Sequence, residues 1–352
     1  MKVIDNRSVW IDNVRLIATI AVVIIHVATP AVFTLYHANA GANSVWWTAN
    51  VYDSFARFCV PVFVMLTGTL LLPQQISFGD FIKKRLNRLL MPFIFWSLVY
   101  TVFDFLLKLR DEGHAAFNHI DSFISGHIIL GAAPHLWYIY MIAGIYLFIP
   151  IIQPWIVRAS NKAILFFLAI WLCTLLIDQQ KVTLAGSPLD LRYFSGYVGY
   201  LVLGYYISER LLITKLICYL AIALFCTGGA VTLLGTYFST CARGSFSHQF
   251  YEYLTFNVFL MAASAYIIIK GLSNGGHRHN VVFTVRSLVS RYGYGIYLGH
   301  LLILSVLAHF NINYQILTPW LGIPVLSIIV ISITCLVIYA LNKLPYGKYI
   351  SG

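Results

Sequence analysis

The sequence predicts an all-α, polytopic integral membrane protein: a bundle of about ten transmembrane helices with both termini in the cytoplasm. Of its 352 residues, 60% are hydrophobic and 10% are charged, and the mean hydropathy is +0.80. Soluble domains contain roughly 25% charged residues, so a chain of this composition is expected to lie mostly in lipid. No linker or tail is long enough for a separate soluble domain, and we expect one membrane domain over residues 1–352.

Ten apolar stretches are candidates for membrane spans, since a helix needs about 20 apolar residues to cross ~30 Å of hydrocarbon. In chain order they cover residues 12–36, 47–72, 89–107, 135–157, 163–178, 194–208, 216–238, 251–270, 292–310 and 320–342. The first is predicted to be a retained helix, because its apolar part is too long for a signal peptide.

The basic residues give the orientation of the bundle. With the N-terminus inside, the outer loops hold five of the 23 Lys and Arg residues and Arg57 lies within a span, which leaves 17 on the cytoplasmic side. Cytoplasmic loops are rich in Lys and Arg, so this asymmetry predicts ten spans with both termini inside. It also explains the net charge of +11 without a nucleic-acid partner.

The six cysteines form no CxxC pair, and we expect neither a metal site nor a disulfide.

The first span carries two ionisable residues on one face. His26 follows Arg15 by eleven residues, which brings it to within about 20° of the same helical face and about 16 Å deeper into the membrane. An imidazole near the middle of a bilayer is costly, and a functional role is the default interpretation. The alternative is a packing histidine that is hydrogen-bonded to a neighbouring helix.

Two further ionisable residues reach a similar depth. Arg57 lies inside the second span, and His300 lies in the ninth, one turn after Tyr297. Gly295 and Gly299 allow another helix to approach the ninth span closely. Together with His26, these residues predict a polar cavity at the centre of the bundle; the alternative for Arg57 is that it extends to the outer surface.

Arg85 and Arg88, three residues apart, share one face of a helix that leads into the third span. Such a pair can bind phosphate groups, although ordinary anchoring on the cytoplasmic side explains it equally well.

Two weaker candidates lie at the outer ends of spans. His135 opens the fourth span beside Trp137 and Tyr138, aromatic residues that either form an interfacial belt or stack on sugar rings. Glu252 begins the eighth span and is either a substrate contact or a solvated carboxylate.

These motifs, in this order, resemble the acyltransferase-3 family of bacterial integral-membrane O-acyltransferases. The resemblance rests on R-x10-H in the first span, R-x-x-R after the second, VPVFVMLTG, and GYGIYLGH, and it covers most of the chain. The segments WIDNVR, HLWYIYMIAGIYL and GYGIYLGH are most similar to the enterobacterial common antigen O-acetyltransferase branch. One departure is Thr67-Gly68, where the family usually has Ser-Gly. Many relatives also carry an esterase-like domain; here the membrane part alone would perform the transfer.

The resemblance implies that an acetyl or other acyl group moves from cytoplasmic acetyl-CoA to a hydroxyl of a cell-surface or lipid-linked glycan. The protein would be a multi-pass protein of the bacterial inner membrane, in contact with lipids, with acetyl-CoA as co-substrate and no metal. Enterobacterial common antigen or a similar polysaccharide would be the acceptor. Arg15 and His26 match one motif that is thought essential, and Arg85 and Arg88 match the other.

Residue chemistry suggests roles for these positions. His26 would act as general base or as acyl carrier, with Arg15 as the second catalytic candidate, and the arginine pair would hold CoA phosphates. Arg57 would stabilise an oxyanion, and the further candidates for contacts to the substrate or the oxyanion are His300, Tyr297, His135 and Glu252. Two alternatives belong to other classes of protein. One is a transporter or flippase of a lipid-linked saccharide, for which inverted repeats would be expected but are not seen. The other is a non-catalytic scaffold, which explains none of the ionisable groups at mid-depth.

The predicted topology can be tested with reporter fusions. Fusions after Leu72 and at Gly352 should report a cytoplasmic location, and a fusion near Asn43 should report the opposite side, because the basic residues orient the spans in that way. A C-terminus on the outer side would contradict the ten-span topology.

Overall fold

The computed structural model describes residues 6–38, 42–74, 77–179, 192–273 and 281–352. These residues form helices, turns and loops and contain no β-strand, which confirms the all-α prediction for the described part of the chain. The helices are α1 (Asn6–Ala38), α2 (Ser44–Ala56), α3 (Cys59–Leu71), α4 (Phe78–Glu112), α5 (Ile120–Leu130), α6 (Trp137–Arg158), α7 (Asn161–Gln179), α8 (Arg192–Glu209), α9 (Lys215–Arg243), α10 (Phe256–Leu272), α11 (Val281–His309), α12 (Pro319–Lys343) and α13 (Gly347–Ile350). Short 3-10 turns lie at Gly113–His119, Pro134–Leu136 and Tyr314–Ile316.

Among the described residues, seven helical segments are long and apolar enough to cross a membrane. Shorter apolar helices occupy Asn161–Leu176 and Phe256–Leu272, and α8 lies at the sixth predicted span. The membrane character of the protein is therefore confirmed. The count of ten crossings and the cytoplasmic location of both termini stay predictions. We call the end of the bundle at which α1 begins the inner end.

The second predicted span is not one continuous helix: α2 ends at Ala56 and α3 begins at Cys59. Pro61 explains the break, because it has no N–H with which to bond the carbonyl of Arg57, four residues earlier. The Arg57 N–H itself bonds the Ser54 carbonyl at 3.4 Å, a tighter turn than that of an α-helix. Arg57 therefore lies at the interruption between α2 and α3.

Two other predicted spans differ in their bounds from the helices that contain them. The third span, predicted over residues 89–107, belongs to the longer helix α4, which begins at Phe78 after Ser77 caps its first turn. Arg85 and Arg88 are therefore part of this helix. The eighth span, predicted from residue 251, begins as a helix only at Phe256. Glu252 consequently lies in the loop before α10, where its side chain is exposed.

Glycine allows helices to cross at backbone contact distance. A Cβ on Gly68 of α3 would lie 1.9 Å from the carbonyl oxygen of Leu201 in α8. A Cβ on Gly299 of α11 would lie 2.7 Å from the Trp96 ring of α4. The predicted close approach to the ninth span is thus confirmed, and α11 is held tightly against α4.

Helix α1 lies at the centre of the bundle and contacts α2, α3, α10, α11 and α12. Small residues permit this central position, since Ala18, Ala28 and Ala31 are completely buried. Helices α1 and α11 run parallel: Arg15 contacts Ser290 near the inner end, and the rings of His26 and His300 lie 5.0 Å apart further along. Side chains from both helices therefore meet at the same depth.

Candidate active site

Three histidines from separate parts of the chain form one cluster. His26 comes from α1, His135 from the turn Pro134–Leu136 and His300 from α11. The ring centroids are 5.0 Å apart for His26 and His300, 5.1 Å for His135 and His300, and 6.1 Å for His26 and His135. The structure thus brings together the two histidines that the sequence placed at mid-depth. It adds His135, which the sequence placed at the outer interface but which is only 3% exposed.

A cavity of about 40 Å³ opens beside this cluster. Its lining residues come from α1, α3, α6 and α11 and from two loops; they are Val22, Ile25, His26, Cys59, Val60, His135, Trp137, Tyr138, Tyr253 and Tyr297. Since one water molecule needs roughly 10–15 Å³, the cavity has room for about three waters or one small functional group. His300 is not part of the lining; its ring lies next to the rings of both His26 and His135.

Hydrogen bonds to backbone carbonyls determine which nitrogens of two histidines carry hydrogen. Nδ1 of His300 lies 3.1 Å from the Ile296 carbonyl and 2.6 Å from the Tyr297 carbonyl. Nε2 of His135 lies 3.3 Å from the Leu298 carbonyl. Because a carbonyl oxygen only accepts, each of these nitrogens donates, and in a neutral ring the other nitrogen has a lone pair.

The lone-pair nitrogens of these two rings are buried. Nε2 of His300 and Nδ1 of His135 have no hydrogen-bond partner among the described residues. Buried polar atoms without partners are uncommon in folded proteins. One of them belongs to a ring that lines the cavity and the other to the ring next to it, which indicates a site able to accept hydrogen bonds.

Backbone contacts hold the cluster in place. The Tyr100 hydroxyl of α4 donates to the Leu298 carbonyl at 2.8 Å and accepts from the Leu302 N–H at 3.0 Å. The Tyr297 hydroxyl donates to the carbonyl of His135. The turn of α11 that carries His300 is therefore tied both to α4 and to the turn that carries His135. Tyr297, a predicted substrate contact, lines the cavity while its hydroxyl holds the backbone.

Arg57 is paired inside the bundle and does not extend to the outer surface. Its Nε lies 2.6 Å from Oδ1 of Asp53, and the two side chains are 14% and 1% exposed. The guanidinium also lies 4.1 Å from the centroid of the Tyr251 ring and 5.8 Å from that of Tyr253. Sequence reasoning missed Asp53, although an Asp and an Arg four residues apart on a helix are in reach of each other. Since Tyr253 lines the cavity, the buried cation lies next to it.

Arg15 lies far from the histidine cluster. It donates to Asp12 at 3.0 Å and to Ser290 at 3.1 Å, and its side chain is 34% exposed. Eleven residues of helix separate Arg15 from His26, which corresponds to about 16 Å. The structure therefore does not bring together the two residues of the R-x10-H motif.

Arg85 and Arg88 lie near the inner end of α4. Arg85 donates to Gln74 at 3.1 Å, while its Nε is buried and has no partner among the described residues. Both guanidinium groups are close enough to the Tyr146 hydroxyl of α6 to interact with it electrostatically. Two neighbouring guanidinium groups, of which Arg88 is exposed, can bind anionic groups such as phosphates.

The two arginines of α4 lie at nearly the same depth as Arg15. The Tyr294 hydroxyl donates to the Leu89 carbonyl at 2.8 Å, which places these two residues at one level. Arg85 lies one turn below Leu89, and Ser290, the partner of Arg15, lies one turn below Tyr294. We call Arg15, Arg85 and Arg88 the inner arginine layer. His300 follows Ser290 by ten residues, so the histidines lie about 15 Å from this layer.

Tyrosines occupy the space between the inner arginine layer and the histidine cluster. Tyr138 and Tyr146 of α6 face Tyr294 and Tyr297 of α11, within electrostatic range of one another, and the rings of Tyr138 and Tyr297 are 5.4 Å apart. Tyrosine hydroxyls therefore lie between the inner arginine layer and the histidine cluster.

The outer side of the cavity has an aromatic wall. The Trp137 and Tyr253 rings are 5.8 Å apart with an interplanar angle of 25°, and Trp137 is 39% exposed. Glu252 follows the buried Tyr251 and points outward. Among the described residues, no group of three His, Cys, Asp or Glu side chains has an arrangement that could hold a metal ion.

The Asp53–Arg57 pair generates a prediction about stability. Asp53→Asn and Arg57→Met should each destabilise the protein by about 3–5 kcal/mol, because each leaves one group of a buried ion pair without its partner. The double variant should recover part of this loss. Thermal unfolding in detergent measures the effect, and Asp111→Asn in the exposed Arg110–Asp111 pair serves as the control with little change. A double variant less stable than both single variants would contradict this interpretation.

Comparison with known proteins supports the resemblance seen in the motifs. The profile of a family described as an acyltransferase domain matches residues 8–339, nearly the whole chain. No curated protein and no solved structure matches the chain significantly. The matched region contains the histidine cluster, the Asp53–Arg57 pair and the inner arginine layer. The chain therefore belongs to the acyltransferase-3 family and is a membrane acyltransferase.

Proposed function

We propose that the protein transfers an acetyl group from acetyl-CoA to a hydroxyl of a lipid-linked or cell-surface glycan, in the inner membrane of a bacterium. The observation that carries this proposal is the buried histidine cluster, in which His26 and His135 line a small cavity. Acyl transfer to a hydroxyl needs a group that accepts the hydroxyl proton. The family assignment favours an acyltransferase over a transporter or flippase.

The inner arginine layer is suited to the donor. Arg85 and Arg88 would bind the phosphates of CoA at the inner end of the bundle. The pantetheine arm would then extend past Tyr146 and Tyr294 toward the histidines, about 15 Å along α11. Tyr138 and Tyr297 line the cavity and pack against each other, so the arm would have to displace these two rings to deliver the thioester.

At the cavity, His26 would take the proton of the acceptor hydroxyl while the hydroxyl oxygen attacks the thioester carbonyl. The carbon–sulfur bond then breaks, the ester forms, and the CoA thiolate takes the proton from His26. Arg57 would stabilise the negative charge on the carbonyl oxygen, since it lies against Tyr253 in the cavity wall. In the alternative route, His26 itself attacks the thioester and carries the acetyl group to the acceptor.

The aromatic wall is suited to the acceptor. Trp137 and Tyr253 present a stacked, partly exposed apolar surface beside His26. A sugar ring of enterobacterial common antigen or of a similar polysaccharide would stack on this surface. Glu252, which is exposed next to the wall, would accept hydrogen bonds from sugar hydroxyls.

Replacement of His26 tests the proposal. His26→Gln and His26→Asn should fold and bind acetyl-CoA, yet lose about 10²- to 10⁴-fold in acetyl transfer, because an amide cannot take up a proton near neutral pH. The measurement is transfer of radiolabelled acetyl from acetyl-CoA to lipid-linked saccharide extracted from the host membrane. His309→Gln, an exposed histidine of α11, is the matched control and should keep wild-type activity.

Two outcomes would change the assignment of His26. An acetylated His26 trapped in wild-type protein would favour the acyl carrier over the base. If His26→Gln kept a substantial fraction of wild-type turnover, the catalytic assignment would be wrong.

The donor site gives a second test. Joint replacement of Arg85 and Arg88 with Ala should weaken acetyl-CoA binding about 10²-fold, because two charge-assisted hydrogen bonds to phosphate are lost. Lysine at both positions should restore part of the affinity, since it has the charge but not the planar fork. Joint replacement of Lys83 and Lys84 with Ala is the matched control. It also removes two charges, but from exposed side chains that flank Asp80 and Asn87.

Equilibrium binding of acetyl-CoA to the purified protein distinguishes the two pairs. Equal losses in the arginine and lysine variants would indicate a general electrostatic effect. Unchanged affinity for acetyl-CoA in the arginine variant would mean that Arg85 and Arg88 only orient α4 in the membrane.

A further inference from the structure

His300 combines three properties that none of the roles given above uses. Its ring is completely buried, its Nδ1 donates to carbonyls of its own helix, and its Nε2 has no partner among the described residues. In an imidazole, Nε2 lies on the side of the ring away from the main chain, so here it points out of α11. The two other histidine rings lie about equally near, His26 at 5.0 Å and His135 at 5.1 Å between centroids.

This arrangement excludes one predicted role of His300. A group that stabilises an oxyanion must donate a hydrogen bond. In the neutral ring the only hydrogen on nitrogen is on Nδ1, which already donates to the backbone. Neutral His300 can therefore only accept at the nitrogen that faces the cluster, and it is not an oxyanion donor.

We propose that His300 is a positioning residue for His26: it accepts a hydrogen bond from one nitrogen of His26 and so leaves the lone pair of the other nitrogen facing the acceptor hydroxyl. This inference rests on the proposed function of His26 as general base. A free neutral imidazole exchanges its hydrogen between two nitrogens, and only one tautomer has the base toward the substrate. The aspartate of serine hydrolases fixes its histidine in the same way.

The geometry favours His300 over His135 in this role. The ring of His300 is closer to His26 than that of His135, 5.0 Å against 6.1 Å. This hydrogen bond is not formed in the structure, since Nε2 of His300 has no partner among the described residues. With the ring centroids 5.0 Å apart, a rotation of the His26 ring would bring one of its nitrogens to about 2.9 Å from that atom. His135 lines the cavity directly, whereas His300 lies outside the lining. Nδ1 of His135 has a lone pair and cannot donate to Nε2 of His300, which leaves His26 as the donor among the two neighbouring rings. His135 is therefore placed to contact the substrate, and His300 to contact the base.

The proton balance is simple. The hydroxyl proton moves to His26 and then to the CoA thiolate, while the hydrogen that His26 donates to His300 stays on His26 throughout. His300 neither gains nor loses a proton over the cycle. It stabilises the imidazolium form of His26 and prevents the unproductive tautomer.

Two conservative variants separate this role from a structural one. In His300→Asn the amide reaches the position of Nδ1 and can keep the bond to the helix backbone, but nothing replaces Nε2. In His300→Gln the longer amide reaches the position of Nε2 and presents an acceptor oxygen to His26. Both side chains are smaller than histidine, so neither overfills the buried site.

We expect His300→Asn to lower kcat for acetyl transfer by about 10²- to 10⁴-fold, with unchanged acetyl-CoA affinity. His300→Gln should remain at least about tenfold more active than His300→Asn, which corresponds to ~1.4 kcal/mol for the retained contact. If His300 only anchors its own helix, the order reverses and His300→Asn is the better tolerated variant. Equal activity of the two variants would also overturn the proposal.

A spectroscopic measurement on the wild-type protein tests the same contact without relying on variants. Nitrogen-15 NMR of histidine-labelled protein should show His26 as a single tautomer, coupled through an N–H···N bond to Nε2 of His300. His26→Gln identifies its resonances. Absence of the coupling, or a mixture of His26 tautomers, would overturn the inference while leaving His26 as the base. Activity in His26→Gln would instead overturn the proposed function itself.

Discussion

The cost of keeping ionisable side chains inside a hydrocarbon layer constrains the arrangement of this bundle more than any other interaction. A charge inside the bundle needs a partner, and for the buried Arg57 and the partly exposed Arg15 the structure supplies one close in sequence. Asp53 lies one turn before Arg57 in the interrupted second span, and Asp12 lies one turn before Arg15. Because these pairs are local, neither depends on a distant helix to neutralise the charge. The helices can then be packed through small residues such as Gly68 and Gly299.

The histidines satisfy this constraint in a different way, and the difference indicates where the chemistry takes place. A neutral imidazole has no charge to neutralise but has one donor and one acceptor. In His135 and His300 the donor bonds a backbone carbonyl, and the acceptor has no partner among the described residues. An ion pair at this position would be stable but inert. Neutral rings with free lone pairs are less costly to bury than charges and remain able to take up a proton.

Sequence reasoning located much of this arrangement, because depth along a span can be counted in residues. It placed His26, Arg57 and His300 at similar depths, and the structure places the two histidine rings 5.0 Å apart. It did not identify Asp53 as the partner of Arg57, although the spacing was visible. Counting residues along a span could not predict the position of His135. The turn Pro134–Leu136 carries it into the bundle, and only the packing of α4 and α11 around this turn buries its ring.

The separation between the inner arginine layer and the histidine cluster has a physical rationale in the parallel course of α1 and α11. Arg15 and Ser290 fix the register of the two helices at one end, and His26 and His300 then meet ten or eleven residues further along. A group that binds anions is stable near the membrane surface, where water and headgroups solvate it. A base that must be neutral is stable deeper in the membrane. One pair of rigid helices thus holds two chemically incompatible environments about 15 Å apart. An acyl donor long enough to span this distance can place its charged phosphates at the inner arginine layer and its reactive carbonyl at the histidine cluster.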